Sequence, residues 1–424
     1  MIPATVLAGL AVIGFGSFVI WAGSDESSGR AYRAFLQNFL LWSALAQGGL
    51  MLSAGIRLTN GRWAGPVHRI ADCLGAFVPV SILLYLVVWA GRYEIFDWIQ
   101  HPEHVESKRW WYREGFMFTR DMIALCWMAF LSCWYLYMSV RPMLGAARES
   151  ATGVRGRLIQ AWTSGWRGEA AERLSADRRC RKLAAILALS YAFAYSTLGV
   201  DLIMGLAPHW VSTMFPAYYA WGGFLSAVSM TTLLAVLLRN GPDLRGEITE
   251  SRRHDLGKMV FAFSIFWMYL FWSQYLVIWY GNIPEETGFI AARLGSQFLQ
   301  DTWYMEGFWE RLNEPYVKLT LTTWILCWVV PFWVLLGQKP KKMPAILGTV
   351  ALLSVIGFWM ERYILITPSL VSPEAVQAGA PVTPFGIIEL MVTAGFVGLF
   401  FLCFLLFAKV FPGALPPASR SAAA

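Results

Sequence analysis

The sequence predicts an all-helical bundle that crosses a lipid bilayer about ten times. Three observations predict it. Of the 424 residues, 57% are hydrophobic and only 14% charged, where a soluble domain carries about a quarter charged residues. The mean hydropathy is +0.49. Runs of roughly 20 mostly apolar residues, enough to span the hydrocarbon core as a helix, follow one another too closely to leave room for a soluble domain. One transmembrane domain over 1–424 is the expectation.

The first run lies near 3–22. It begins without a basic segment and no small-residue cleavage site follows it, so it reads as a retained first helix and not as a signal peptide. The second and third lie near 35–56 and 69–90, joined by a turn carrying Arg57, Arg62 and Arg69. The fourth, near 116–139, ends at a long basic segment from Arg141 to Lys182. The fifth (182–206) and sixth (211–238) are split only by the turn Pro208-His209-Trp210. The seventh (258–280) follows a basic loop from Arg239 to Lys258. The eighth (319–337) and ninth (343–364) meet at Lys339-Pro340-Lys341-Lys342, and the tenth covers 384–409.

Lys and Arg alternate between loops, and this bias sets orientation. Of the 34, 23 fall on the side of the 57–69, 141–182, 239–258 and 339–342 segments and of the tail with Lys409 and Arg420. That side is expected to be cytoplasmic, with both termini on it. Most acids run the other way, giving formal charges of +14 inside and −7 outside from the same sequence. The net charge of +7 therefore reflects topology, and no nucleic-acid footprint is needed to explain it.

The 141–182 basic loop holds Trp162 and Trp166 four residues apart. Either a short helix lies here on the anionic inner leaflet, or the segment is a solvated loop. The outer segments 91–115 and 281–318 are rich in Trp, Tyr and acids, which suits an aromatic belt and also a docking surface for a partner. The six cysteines make no Cys-x-x-Cys pair and read as small buried hydrophobes, not as disulfide, zinc or iron–sulfur ligands. His101-Pro102-Glu103-His104 has metal-like spacing but sits in a charged loop without a further ligand, and reads as surface; no metal site is expected. Gly222-Gly223 after Trp221 reads as a close helix contact.

Ionisable groups at or inside a membrane are costly, so each is a functional candidate. Arg120 and Asp121 open the fourth span, Asp201 lies about a turn from the outer end of the fifth, and His209 follows in the outer turn. Glu285 and Glu286 stand where the seventh exits, Glu361 and Arg362 end the ninth, and Glu389 lies a turn or two into the tenth. A polar pocket in the outer half of the bundle is the expectation. Tyr191 and Tyr195 share a helical stripe, as do Thr197 and Asp201, and as do Tyr269 and Ser273 beside Gln274 and Tyr275. Hydroxyls, an amide and a carboxylate in series serve a buried proton path or a quinone headgroup; the same groups also glue helices together. Of five histidines only His209 comes near a span, so no paired ligands for a transmembrane haem are expected. Any metal centres for redox chemistry then belong to a partner.

Two stretches narrow the reading. Trp272-Ser273-Gln274-Tyr275-Leu276-Val277-Ile278-Trp279-Tyr280-Gly281-Asn282-Ile283-Pro284-Glu285-Glu286-Thr287 resembles the S-Q-Y-x-x-I-W-Y-x-N-I-P-E-E-T signature of NrfD/PsrC-like membrane subunits, in the branch found in alternative complex III. Val200-Asp201 through Pro208-His209-Trp210-Val211-Ser212-Thr213 looks like that branch's D-W-x-M-S-L-x-P-H-W-x-S-T, with Leu202 where the pattern has Trp and Gly205 where it has Ser. Gln47-Gly48-Gly49 through Arg62-Trp63 is similar to the family's second helix and turn. The likeness covers roughly 35–405, and length and the Asp…Pro-His-Trp element make the chain look more like the ActF-like than the ActC-like subunit.

The resemblance implies a bacterial inner-membrane subunit of a quinol:electron acceptor oxidoreductase. Its implied partners are a related ActC-like subunit, an outer-face iron–sulfur protein and a multihaem cytochrome c, which hold the clusters and haems; the one ligand expected near this chain is a quinone such as menaquinone. It implies a proton path through Asp201, Glu285, Glu286, Glu389, Tyr195, Thr197 and Asp121. It also implies quinone contacts at His209, Gln274, Tyr275 and Arg120. A quinone-binding anchor of a molybdopterin or polysulfide-reductase-type complex, and a transporter or scaffold, are the competing readings. A transporter would favour matched broken helices, and Pro216 and Pro331 are expected to interrupt spans without forming such a pair.

Overall fold

The computed structural model describes residues 3–61, 63–145, 148, 152–241, 244–295, 312–371 and 385–411. Among these, ten helices are long and apolar enough to cross a membrane. They are α1 (Ala4–Ala22), α2 (Ser28–Leu58), α3 (Val67–Ala90), α4 (Glu114–Met143) and α5 (Glu169–Leu206). The rest are α6 (Phe215–Leu238), α7 (Glu250–Gly281), α8 (Val317–Val334), α9 (Pro344–Leu370) and α10 (Ile387–Val410). No strand occurs among the described residues, as the all-α expectation requires. Arg62, Arg420 and residues 296–311 of the 281–318 segment lie outside them.

Helix α2 is the hub: 89% of its apolar window is buried. Small residues let its neighbours close on it. A side chain at Gly48 would stand 2.8 Å from the Gly223 carbonyl of α6, and one at Gly49 would meet Ala71 and Leu74 of α3. The expected role of Gly223 as a contact point holds, since Ala44 of α2 packs on it. Helices α2–α5 form one four-helix group and α6–α9 a second, joined where α2 and α5 pack on α6 and α2 packs on α9. The pair α1 and α10 flanks α2.

On α1 the buried residues Leu7, Ala11, Gly14 and Phe18 recur at helical spacing. Gly14 abuts Gly395, while Gly398 abuts Leu7 and Ala11. Numbers that rise on one helix as they fall on the other mark an antiparallel pair, so the Ala4 and Val410 ends share one face of the bundle. The basic segments gather on that face. Arg57 donates to Ser139 Oγ at 2.5 Å and Ser139 to Asp72 at 2.7 Å, tying the ends of α2, α3 and α4. Arg253 donates to the Lys342 carbonyl.

Several local expectations change. The 141–182 segment is largely helical. It forms Gly153–Trp162, and α5 begins at Glu169, because the pairs Glu169–Arg173 and Asp177–Arg181 support a charged extension of the fifth span. Trp162 ends its helix and stacks on Phe411 at 4.4 Å, while Trp166 lies beyond it against Gly145, so the two do not share a helical face. Pro216 does not interrupt α6 but occupies its first turn, where a missing N–H costs nothing. Pro331 does sit inside α8, directly after a π-turn at Ile325–Val329 that accommodates it. His68 and His254, and not only His209, fall at or in spans: His68 lies in the first turn of α3 with Nδ1 2.5 Å from the Gly65 carbonyl, and His254 near the start of α7. Cys73, Cys180 and Cys327 are buried as expected, whereas Cys126 and Cys133 face outward from α4.

Candidate functional site

Each four-helix group encloses a buried charged cluster toward the end of the bundle opposite the basic segments. In the first, Arg120 on α4 reaches Asp201 on α5. Its Nη2 and Nε stand 2.6 and 3.0 Å from Asp201 Oδ2, and Trp111 donates to Oδ1 at 2.8 Å. The Arg120 guanidinium stacks 3.8 Å from the Trp111 ring centre with Phe116 beyond it. Asp121, wholly buried, brings its carboxyl within hydrogen-bonding reach of Asp201 and accepts from Tyr85 at 3.2 Å. Two carboxyl groups thus meet one guanidinium. Asp121 Oδ1 and Arg120 Nη1 are buried without a partner.

The 91–115 segment lids this cluster. Trp98 donates to the Gly205 carbonyl at 3.0 Å, and Lys108 donates to the Pro208 carbonyl, so the segment is pinned to the end of α5. Tyr112, in the same segment, is turned inward and only 5% exposed. Burial and the nearby Asp201 charge raise its phenol well above the ordinary tyrosine range. His101 and His104 both bond the exposed Asp97, at 3.0 and 2.9 Å, on the outer surface of the lid.

The second cluster centres on Glu361 and Arg362, joined at 2.6 Å and both buried. They do not end the ninth span. Helix α9 continues to Leu370, placing them inside the bundle, where Arg362 lies over the Tyr219 ring at 4.5 Å. Beside them is a cavity of about 50 Å³, walled by Tyr218, Trp267, Gln274, Arg293, Thr320 and Glu361 among apolar residues. Thr320 Oγ1 is buried there without a partner among the described residues, while Tyr218 and Trp267 stand close to the Glu361 carboxylate. A space of this size holds one or two waters at roughly 30 Å³ each, whereas a benzene ring takes about 150 Å³. The cavity, walled mainly by apolar side chains, is too small as it stands for a quinone ring.

Arg293, on the short helix Pro284–Leu294, closes this cavity. It donates to the carbonyls of Ile364 (2.9 Å), Leu365 (3.0 Å) and Phe289 (2.7 Å) and to Ser369 Oγ (2.7 Å), and it stacks on the Phe289 ring. Burial lowers its pKa to about 9, which leaves it charged at neutral pH. Phe289 in turn stacks face to face on Trp210 at 3.5 Å, and Ser212 donates to Gln274 Oε1 at 3.0 Å. The 200–213 and 272–287 stretches, far apart in sequence, therefore meet through Ser212 and Gln274, with Trp210 stacked on Phe289 just beyond the second.

Comparison with protein-family models and with curated proteins finds no match for this chain.

The other residues singled out from the sequence are dispersed. Glu285 is exposed and Glu286 half-buried in the first turn of Pro284–Leu294, where neighbouring residues point about 100° apart. Glu389 is committed elsewhere: it accepts from Arg30 at 2.7 and 2.8 Å and from the Gly386 N–H at 2.9 Å, capping α10. Tyr195 donates to the Ser43 carbonyl at 2.9 Å, and Thr197 to Phe193 of its own helix, away from Asp201. His209 is exposed while its neighbour Trp210 is buried. Tyr275 is buried near Gln274 on α7. Tyr85, Trp111, Tyr218, Trp267 and Arg293 join the clusters without having been singled out. Among the cluster residues, Arg120, Asp121, Asp201, Gln274, Glu361 and Arg362 gave a sequence signal, as polar groups in or beside apolar runs.

Proposed function

We propose that this chain is the membrane subunit of a quinol:electron acceptor oxidoreductase. In this reading it is of the NrfD/PsrC-like type, in the ActF-like branch of alternative complex III. It lies in the bacterial cytoplasmic membrane with its acid-rich face outward, beside an ActC-like subunit, an iron–sulfur protein and a multihaem cytochrome c. The sequence stretches quoted above carry the resemblance, and their contact through Ser212–Gln274, flanked by the Trp210–Phe289 stack, supports reading them as one functional region.

The part assigned to the chain is proton transfer coupled to quinol oxidation. The observation that carries it is the complete burial of two carboxyl groups, Asp121 and Asp201, beside a single guanidinium. Two neighbouring buried carboxyl groups can hold one proton between them and pass it on when a neighbour's charge changes. The cavity at Glu361, mostly apolar but with Glu361, Gln274 and Thr320 on its wall, places a further buried carboxyl in the second group of helices. Quinone contact is assigned to Gln274, which lines that cavity, and binding of a ring there requires the cavity to widen.

Two measurements test this. Purification of the native complex with a haem stain is expected to bring down a c-type cytochrome and an iron–sulfur protein; a molybdoenzyme instead would favour the anchor reading, and neither would sink both. In the intact complex, Asp201→Asn is expected to slow quinol oxidation or uncouple proton release from it, as is Glu285→Gln if the outer acids take part. Variants that assemble normally with unchanged quinol turnover and proton release would remove the proton role.

A further inference from the structure

At the basic face, the end of α4 and the charged start of α5 enclose a cavity of about 280 Å³ that the proposed redox role does not use. Its walls include Tyr137, Arg141, Ser164, Arg167, Ser175 and Arg179. Arg141 is fully engaged: it donates to Glu172 at 2.8 and 3.1 Å, to the Tyr137 hydroxyl at 2.5 Å, and to the carbonyls of Trp162 and Ser164. That pair is neutral and holds the wall in place. Arg167 and Arg179 are exposed, and among the described residues neither side chain has a hydrogen-bond or ion-pair partner. The Ser164 and Ser175 hydroxyls likewise donate to no described residue. Ser175 and Arg179 are one turn apart on α5 and so share its cavity-facing stripe. Two uncommitted guanidinium forks and two hydroxyls around a neutralised floor leave a charge of about +2, which matches an anion with several oxygens.

The position decides the kind of anion. Tyr137 and Met138, which line the cavity, belong to the last turn of the apolar part of α4. On the same two helices, deeper along the bundle, Phe130, Trp134, Ile186 and Leu189 are exposed apolar residues of the kind that face acyl chains. A polar, basic cavity thus opens directly beside a lipid-facing surface.

We propose that this cavity binds the phosphodiester headgroup of an anionic phospholipid, with Arg167 and Arg179 on the phosphate oxygens and the acyl chains against α4 and α5. The ligand chemistry is shared with free phosphate, and the test separates the two sources. The full chain, purified in mild detergent, is exchanged into micelles containing phosphatidylglycerol or phosphatidylcholine, and retained lipid is counted by native mass spectrometry. Wild type is expected to keep one phosphatidylglycerol and no phosphatidylcholine at this site.

Arg167→Gln with Arg179→Gln is expected to lower retention about tenfold or more. Ser175→Phe, which fills the cavity and keeps every charge, is expected to do the same. Arg157→Gln with Arg178→Gln removes equal charge from exposed positions outside the cavity and is expected to leave retention unchanged. Equal loss in that control would reduce the effect to diffuse surface charge and overturn the proposal, as would full retention in Ser175→Phe. Millimolar inorganic phosphate that displaces the lipid and raises the melting temperature as much as phosphatidylglycerol does would overturn the lipid source in favour of a soluble anion.

Discussion

Arg120 and Asp201, 81 positions apart in sequence, meet at 2.6 Å with Trp111 stacked on the guanidinium and donating to the same carboxylate. The pair fastens α4 to α5 at the level where Asp121 also comes to rest. Structure and proposed chemistry therefore depend on one ion pair.

Removing the cation leaves two buried carboxyl groups facing each other. Arg120→Gln is expected to destabilise the protein by about 3 kcal/mol, the low end for breaking a buried pair, since the Arg120 side chain is 16% exposed. Arg120→Gln combined with Asp201→Asn is expected to cost less than the sum of the single changes. Thermal unfolding of the four proteins in detergent gives the comparison, and additive losses would show that the two residues do not interact.

The α1–α10 seam tolerates no side chain at its crossing. A Cβ at Gly14 would stand 2.4 Å from the Gly395 backbone, whereas one at Gly9 meets nothing within 4 Å. Gly14→Leu is expected to separate α1 from the bundle and expose the seam to protease, while Gly9→Leu leaves folding yield and melting temperature unchanged. Equal tolerance at both positions would contradict the packing described.

At the junction of the two sequence stretches, Phe289 supports both Trp210 and Arg293. Phe289→Ala is expected to cost about 3–5 kcal/mol, as for other large aromatic truncations. Ser212→Ala, which removes a single hydrogen bond to Gln274, is expected to cost only about 1 kcal/mol. Melting temperatures that rank the two variants in reverse would assign the junction to the hydrogen bond.

The buried phenol of Tyr112 gives a pH signature. Its folded pKa is raised, so its contribution to stability is present in full below the ordinary tyrosine value of about 10. It is lost as pH climbs past that value, because the unfolded chain ionises first. Tyr112→Phe is therefore expected to flatten part of the fall in melting temperature between about pH 9 and 11. An unchanged alkaline slope would show that Tyr112 is open to water.

Much of the architecture was legible in the chain. The ten apolar runs became ten helices because spanning a bilayer demands both length and internal hydrogen bonding of every backbone group, and both leave a strong one-dimensional trace. The basic segments gathered on one face for the same reason, since each crossing reverses direction. Helix ends were less legible. Charged stretches such as 169–181 carry no apolar signal, and their i,i+4 ion pairs extended α5 beyond its hydrophobic run.

For the site, sequence determined which residue types were costly in a membrane and so deserved notice: Asp121, Asp201, Glu361 and Glu389 proved buried and Arg120 half-buried. Only tertiary structure decided what each one does. Asp201 draws in Arg120, Trp111 and Asp121, while Glu389 spends both oxygens on Arg30 and a helix cap, and His209 points outward beside a buried Trp210. The physical reason is the range of the forces. Hydrophobic periodicity is local and repeats along the chain, whereas a buried charge is satisfied by whichever partner the packing of distant helices delivers, as Arg30 is delivered to Glu389 across 359 positions.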